Sequence, residues 1–183
     1  MTLEECFLCR LHEGRKNIVL GVGDTKSPVV FIGEAPGRQE DERGLPFVGA
    51  AGNVLTMMMY NLGWSRKSVF ITNLVRCRPP KNRKPRVDEI EACSIWLKGE
   101  LGYIKPKYIV PMGTFATQFI FKRFDIGWRN MSEVHGKIIP CTAEWGDTII
   151  FPLYHPAAAL YNPSLADSMQ DDLSVLHELV KTA

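Results

Sequence analysis

The stretch Val29-Val30-Phe31-Ile32, closed by Gly33, is apolar at every position instead of alternating. That pattern predicts a strand buried on both faces of a mainly parallel sheet. Working outward, Asn53 to Leu62 carries apolar residues at Val54, Leu55, Met58, Met59 and Leu62 and stops at Gly63, which predicts a helix. Ser68 to Thr72 reads as a second strand, and Val87 to Leu97 as a second helix, with Pro85 before it and Gly99 beyond it. Tyr108 to Pro111 predicts a third strand, Thr114 to Phe121 another helix, and Thr148 to Phe151 a fourth strand. Leu165, Met169, Leu173, Leu176 and Val180 recur at helical spacing, so an amphipathic helix should close the chain. Strands alternating with helices predict the α/β class, a parallel sheet with helices on both faces.

The length of 183 residues suits a single domain spanning 1–183. Hydrophobic residues make up 45% and charged residues 23%, too apolar for intrinsic disorder. No run approaches the ~18 apolar residues of a membrane span, and Met1 leads into Glu4-Glu5-Cys6, not into a basic and then greasy leader. An intracellular protein with no membrane association is expected. Five cysteines is an odd number. Without a secretory context, reduced thiols that hold a metal or fill a core are favoured over disulfides. The net charge of +2 hides a local asymmetry, since Arg76 to Arg86 holds six cations and no acid. Stiffened by Pro79, Pro80 and Pro85, that loop suits a polyanion such as a nucleic-acid backbone, the alternative being an ordinary solvated loop.

In open α/β sheets ligands bind at the carboxyl ends of the strands. Three polar clusters fall there: Gly33-Glu34-Ala35-Pro36-Gly37, Thr72-Asn73 and Tyr154-His155-Pro156. The topology would bring them to one rim, as an active site requires. Cys6-x2-Cys9 and Cys77-x15-Cys93 supply four soft ligands, the number a tetrahedral thiolate site or a cubane cluster needs. The wide second pair does not match a zinc-ribbon knuckle, which leaves zinc, an iron–sulfur cluster and plain burial open. Cys141 lacks a partner and is expected in the core. Gly21 to Ser27 only superficially suggests a phosphate loop: Thr25 precedes Lys26 where glycine is needed, and the segment lies before the first strand.

Taken together, Cys6-x2-Cys9, Gly33-Glu-Ala-Pro-Gly37, Gly44-Leu-Pro-Phe-Val-Gly49-x2-Gly52, Thr72-Asn73-x3-Cys77-Arg-Pro-Pro80, Cys93 and His155-Pro156 resemble family 4 of the uracil-DNA glycosylase superfamily, the iron–sulfur type. The resemblance covers nearly the whole chain. It implies a three-layer α/β/α sandwich around a four-stranded parallel sheet, excision of uracil from DNA, and a structural [4Fe-4S] cluster on Cys6, Cys9, Cys77 and Cys93. No dissociable cofactor is implied. The expected partner is uracil-containing DNA, single- or double-stranded, met by a monomer in the cytoplasm at the nucleoid.

The resemblance also suggests roles. Phe47 offers a flat face for the base, Asn73 presents an amide matched to uracil N3–H and O4, and His155 faces O2, where charge develops on the leaving base. Glu34 and Ala35 complete the uracil pocket. Pro36, Gly37, Arg78, Lys81 and Arg83 are expected on the DNA backbone, with Leu160 as a wedge into the vacated stack. Family 1 members carry an aspartate where this chain has Ala35 and a tyrosine where it has Gly37. Glu34, Glu40 and Asn82 are therefore the candidates for handling the attacking water, and Glu40 also for excluding thymine's methyl group. The rival classes are a non-catalytic or self-trapping uracil-DNA binder and a generic metal-braced DNA-binding module. Capture through a histidine of the basic loop is disfavoured, because the chain's histidines are His12, His135, His155 and His177.

Overall fold

A computed structural model describes residues 3–182. Met1, Thr2 and Ala183, the ends of the expected 1–183 domain, lie outside the described residues. Six strands form one sheet: β1 (Val22–Gly23), β2 (Val29–Gly33), β3 (Phe70–Asn73), β4 (Tyr108–Pro111), β5 (Ile139–Ala143) and β6 (Gly146–Ile150), in the order β1-β3-β2-β4-β6-β5. The four strands expected from their apolar runs are β3, β2, β4 and β6, and they pair in parallel. The sheet is wider than the expected four strands because β1 and β5 add antiparallel edges. Neither edge has the continuous apolar run of a doubly buried strand: β1 is two residues long, and β5 alternates half-buried with exposed positions.

Six helices accompany the sheet: α1 (Arg38–Arg43), α2 (Ala50–Asn61), α3 (Val87–Ile104), α4 (Thr114–Arg123), α5 (Met131–Val134) and α6 (Pro163–Lys181). Alternation along each buried strand divides the core. Val29 and Phe31 face α2 and α6 through Leu55, Met59, Met169 and Leu173, whereas Val30 and Ile32 face α3 and α4 through Leu97, Leu101, Ile120 and Phe121. The result is a three-layer α/β/α arrangement. Among the described residues no helix is long and apolar enough to cross a membrane.

Helix α3 runs past its expected end at Leu97, through Gly99 and Gly102, to Ile104. Leu101 and Ile104 extend its buried stripe, and Glu100 is tied to Arg76 by a 2.6 Å ion pair, so tertiary packing outweighs the weak helix preference of the glycines. Cys141 sits half-buried on β5 against the α3–α4 side of the core.

Candidate active site

The parallel ladder ends with Gly33 opposite Asn73, and hydrogen bonds from Leu74 N to Gly33 O and Val75 N to Glu34 O carry the pairing into the loops beyond. At this carboxyl rim a cleft of about 460 Å³ opens. Ten of the residues singled out from sequence line it: Glu34, Ala35, Pro36, Gly37, Glu40, Phe47, Asn73, Asn82, Arg83 and His155. Ala51, Pro79, Ala157 and Tyr161 join them, none of them anticipated. Arg78, Lys81 and Leu160 lie outside the lining, on the 3-10 turns Pro80–Asn82 and Pro156–Leu160 or beside them.

Asn73 is only 2% exposed, yet its side-chain amide has no hydrogen-bond partner among the described residues. Because Asn73 lines the cleft, this amide presents a free donor and a free acceptor to whatever enters it. Beside it lies the Phe47 ring, at a residue held in the left-handed region with φ 53°. For a non-glycine residue that backbone costs on the order of 1–3 kcal/mol, and local contacts must maintain it. Arg66 donates to Phe47 O at 2.9 Å and to Pro46 O at 2.7 Å, while Glu40 accepts from Val48 N at 2.9 Å and Gly49 N at 2.6 Å. Glu40 also takes Gly37 N at 3.1 Å, so its carboxylate ties together the two loops of the cleft.

Glu34 differs. Its carboxylate has no hydrogen bond among the described residues, and burial pushes its pKa up, with Lys84 opposing the shift. Asn82 spends its Oδ1 on Arg78 Nε at 2.7 Å. Lys81 and Asn82 both have φ 55°, so the tip of the basic loop is held in the left-handed region as well.

Burial pulls the pKa of His155 down to about 4, so its ring is neutral at physiological pH. Ala157 N–H donates to its Nδ1 at 3.2 Å, which assigns the proton to Nε2. A neutral imidazole so arranged is a donor through Nε2. Gly113, at φ 86°, lets the ring pack close, since a Cβ there would meet His155 Cβ at 2.9 Å.

The six cations of the basic run divide in the fold. Arg76 is 1% exposed and paired with Glu100 and the hydroxyl of Thr72. Arg83 forks onto the fully buried Glu89 at 2.8 and 2.6 Å. Lys81, Lys84 and Arg86 are exposed, and Arg78 is half-buried. Leu160 is 47% and the neighbouring Tyr161 88% exposed at the rim.

Cys6, Cys9, Cys77 and Cys93 line a second, small cavity near the basic loop, all four as free thiols. Two of the sulfurs accept an N–H, Cys6 from Trp96 Nε1 at 3.3 Å and Cys77 from Arg15 Nη1 at 3.4 Å. Donors aimed at these two sulfurs suit thiolates. Burial nevertheless pushes the Cys9, Cys77 and Cys93 thiols up, Cys93 to about 12, so their ionised form needs a cation in the cavity. Among the described residues no group of three or more His, Cys, Asp or Glu side chains is arranged to hold a metal ion. Four soft thiols are the number that a tetrahedral metal or a cubane cluster needs.

Sequence reading passes over Arg66 entirely, because a cation in a turn before a strand carries no local signal. Tyr161 is readable only as one more aromatic. The buried role of Glu89 is hidden in an acidic first helical turn.

A model of the uracil DNA glycosylase superfamily matches residues 20–178. The type-4 uracil-DNA glycosylase of Archaeoglobus fulgidus is 46% identical, over 95% of this chain and 87% of its own length. That of Sulfurisphaera tokodaii is 46% identical over 97% of this chain and 81% of its own, and that of Saccharolobus solfataricus 42% identical over 98% and 84%.

The tautomer of His155 is open to direct measurement. In ¹⁵N-resolved spectra of the imidazoles, His155 should keep Nε2 protonated and Nδ1 bare from pH 8 down to near its value of about 4. A ring that titrates close to the ordinary 6.5 would remove both the burial argument and the Ala157 hydrogen bond. Because the folded pKa lies below the unfolded one, the unfolded chain binds the extra proton between those values, and this histidine makes the fold less stable as pH falls through that window.

Proposed function

The chain belongs to the uracil-DNA glycosylase superfamily as a DNA-repair hydrolase of the type-4 kind, and on that premise we propose how its cleft selects uracil and breaks the N-glycosidic bond. The observation that carries the reading is the buried, unpaired amide of Asn73 at the end of β3. A base inside a duplex is out of reach, so the enzyme must extrude it and read it in the pocket. Asn73 then accepts from N3–H and donates to O4. Cytosine reverses both polarities and leaves the amide unsatisfied. Phe47 supplies the stacking face, and Ala35, a small side chain, leaves room along the wall.

As the bond between N1 and C1′ stretches, its electron pair passes into the base and charge builds on O2. His155 Nε2–H donates there. A neutral donor strengthens its bond as the charge grows, without a full positive charge that would favour the anion equally from the start. Water attacks C1′ from the opposite side, and Glu34, whose carboxylate has no hydrogen-bond partner among the described residues, is the group free to take its proton. Glu40 is committed to three backbone N–H groups and Asn82 to Arg78, so both shape the cleft, with Glu40 in the wall that thymine's methyl group would meet.

Pro36-Gly37 and the cations Arg78 and Lys81 are suited to DNA phosphates, with Arg83 holding the loop against Glu89 from within. The slope of affinity against salt counts such contacts. Leu160 is the wedge. Cys6, Cys9, Cys77 and Cys93 would hold a [4Fe-4S] cluster, which when bound supplies cross-linking of the N-terminal segment, the basic loop and α3, with no part in the reaction. The enzyme works as a monomer on the DNA of the cell interior. A self-trapping binder gains no support, because His155 is the only histidine lining the cleft among the described residues.

Four outcomes test this reading. Wild-type protein should leave alkali-labile sites in an oligonucleotide carrying uracil and none in its thymine or cytosine counterparts. Asn73→Asp should lose uracil excision severely and gain a trace on cytosine, since the carboxylate opposes O4 but accepts from N4–H₂. Near-normal uracil excision would remove Asn73 as the reader. Below neutral pH the single-turnover rate should fall with an apparent pKa above the ordinary glutamate value, as Glu34 protonates. Glu34→Gln should flatten that limb and cost roughly 10²-fold in rate. An unchanged profile would exclude Glu34. Anaerobically purified protein should contain about four iron and four sulfide per chain, and stoichiometric zinc in their place would overturn the cluster.

A further inference from the structure

Among the described residues, five non-glycine positions have positive φ. Lys105 caps the end of α3 and Asp125 follows the end of α4, where such geometry is common. The other three, Phe47, Lys81 and Asn82, sit in the cleft or at its edge. Phe47 is the most demanding, since it is bulky and flanked by Pro46 and Val48 with no glycine to relieve the turn.

What holds it is a charge on each side of one peptide. The C=O of the Phe47–Val48 peptide accepts from Arg66 Nη1 at 2.9 Å, and the N–H of the same peptide donates to Glu40 Oε1 at 2.9 Å. In a trans peptide these groups point in opposite directions. A cation and an anion therefore grip the two ends of a single dipole, and turning the peptide would break both bonds. The next groups repeat the pattern, with Pro46 O on Arg66 Nη2 and Gly49 N on Glu40 Oε1. Gly52 completes the seat, because a Cβ there would run into the Phe47 carbonyl.

We propose that Arg66 is a positioning residue for uracil capture, acting through the Phe47–Val48 peptide to keep the Phe47 ring flat against the extruded base. The inference rests on Phe47 being the stacking surface. Arg66 stands on the turn that leads into β3, the strand that ends at Asn73. One short segment thus braces the ring that stacks on the base at its start and carries the amide that reads the base at its end. Arg66 also reaches Thr56 Oγ1 at 3.2 Å, so its guanidinium is spent within the protein and is not a phosphate ligand. A lysine would not replace it, since a point ammonium lacks the planar fork that spans two carbonyls.

A double-mutant cycle on full-length protein tests this. Single-turnover excision from a uracil oligonucleotide, and binding to the matching thymine oligonucleotide at several salt concentrations, are measured for wild type, Arg66→Lys, Arg66→Met, Phe47→Ala and the two double variants. Arg66→Lys and Arg66→Met should each lower the excision rate at least tenfold while binding to thymine DNA and its salt slope stay within error. In the Phe47→Ala background the same changes should alter the rate less than twofold, because the ring they position is gone. Losses that multiply would overturn the role of Arg66 alone. A salt slope smaller by roughly 0.9 would make Arg66 a phosphate contact and overturn it as well. If Phe47→Ala excises at the wild-type rate, the stacking reading falls and this inference with it. Thermal unfolding is followed throughout, and loss of the fold in both Arg66 variants would make Arg66 a general stability residue and reject the local role.

Discussion

Gly33 pairs with Asn73 on the last rung of the β2–β3 ladder, and the space its missing side chain leaves is where the site assembles. A Cβ at Gly33 would strike Asn73 Oδ1 and come within 2.5 Å of Phe47 Cζ. The amide and the ring can lie side by side only because that position is bare. The parallel pairing of β3, β2 and β4 supplies the rest: it ends all three strands at one rim, so loops distant in sequence share a wall. Gly113, after β4, repeats the device for His155. The chemistry of the cleft depends on backbone meeting side chain at close range, and glycine at the strand ends is what permits it.

Burial then decides what each charged group does. Arg66, Arg76 and Arg83 are all drawn into the protein, onto backbone carbonyls, Glu100 and Glu89 respectively. Arginine suits this work because its donors span two acceptors in a fixed plane. Lys81, Lys84 and Arg86 stay at the surface, Lys84 over the Phe115 ring at 5.0 Å. The basic run is therefore part scaffold and part exposed charge, interleaved residue by residue. Desolvation acts on two groups of the cleft that carry opposite charges when ionised: it neutralises the His155 ring and raises the proton affinity of Glu34. In the reaction proposed above, a donor that does not ionise would face the leaving anion and a base with a stronger hold on protons the attacking water.

The parts of this fold that announce themselves in sequence are those governed by local periodicity. Val29 to Ile32 and Tyr108 to Pro111 are apolar at every position because helices cover both faces, and that needs no knowledge of partners. The edge strands escape notice because an edge has no such constraint. Gly99 misleads as a helix end, since the packing of Leu101 and Ile104 is a tertiary fact. In the site, residue types and their convergence on one rim were readable, but their allegiances were not. Glu34 and Glu40 lie six residues apart in one glycine-rich loop. Only the fold shows that Glu40 bonds three backbone amides while Glu34 bonds none among the described residues. The division of the basic run has the same cause, because Glu89 and Glu100 meet their arginines across the turn into α3 and along its length.

The same distinction bears on the cysteines. Spacing alone leaves zinc, a cluster or simple burial open. What the structure adds is that four sulfurs, brought from the N-terminal segment, the basic loop and α3, line one small cavity, with N–H donors on Cys6 and Cys77 and with burial opposing the ionisation of Cys9, Cys77 and Cys93. Thiolates so buried need a compensating positive charge. Arg15 and Arg76 supply part of it. Because Cys77 lies four residues after Asn73 on the same chain segment, whatever fills that cavity also bears on how firmly the start of the basic loop is anchored below the Asn73 amide.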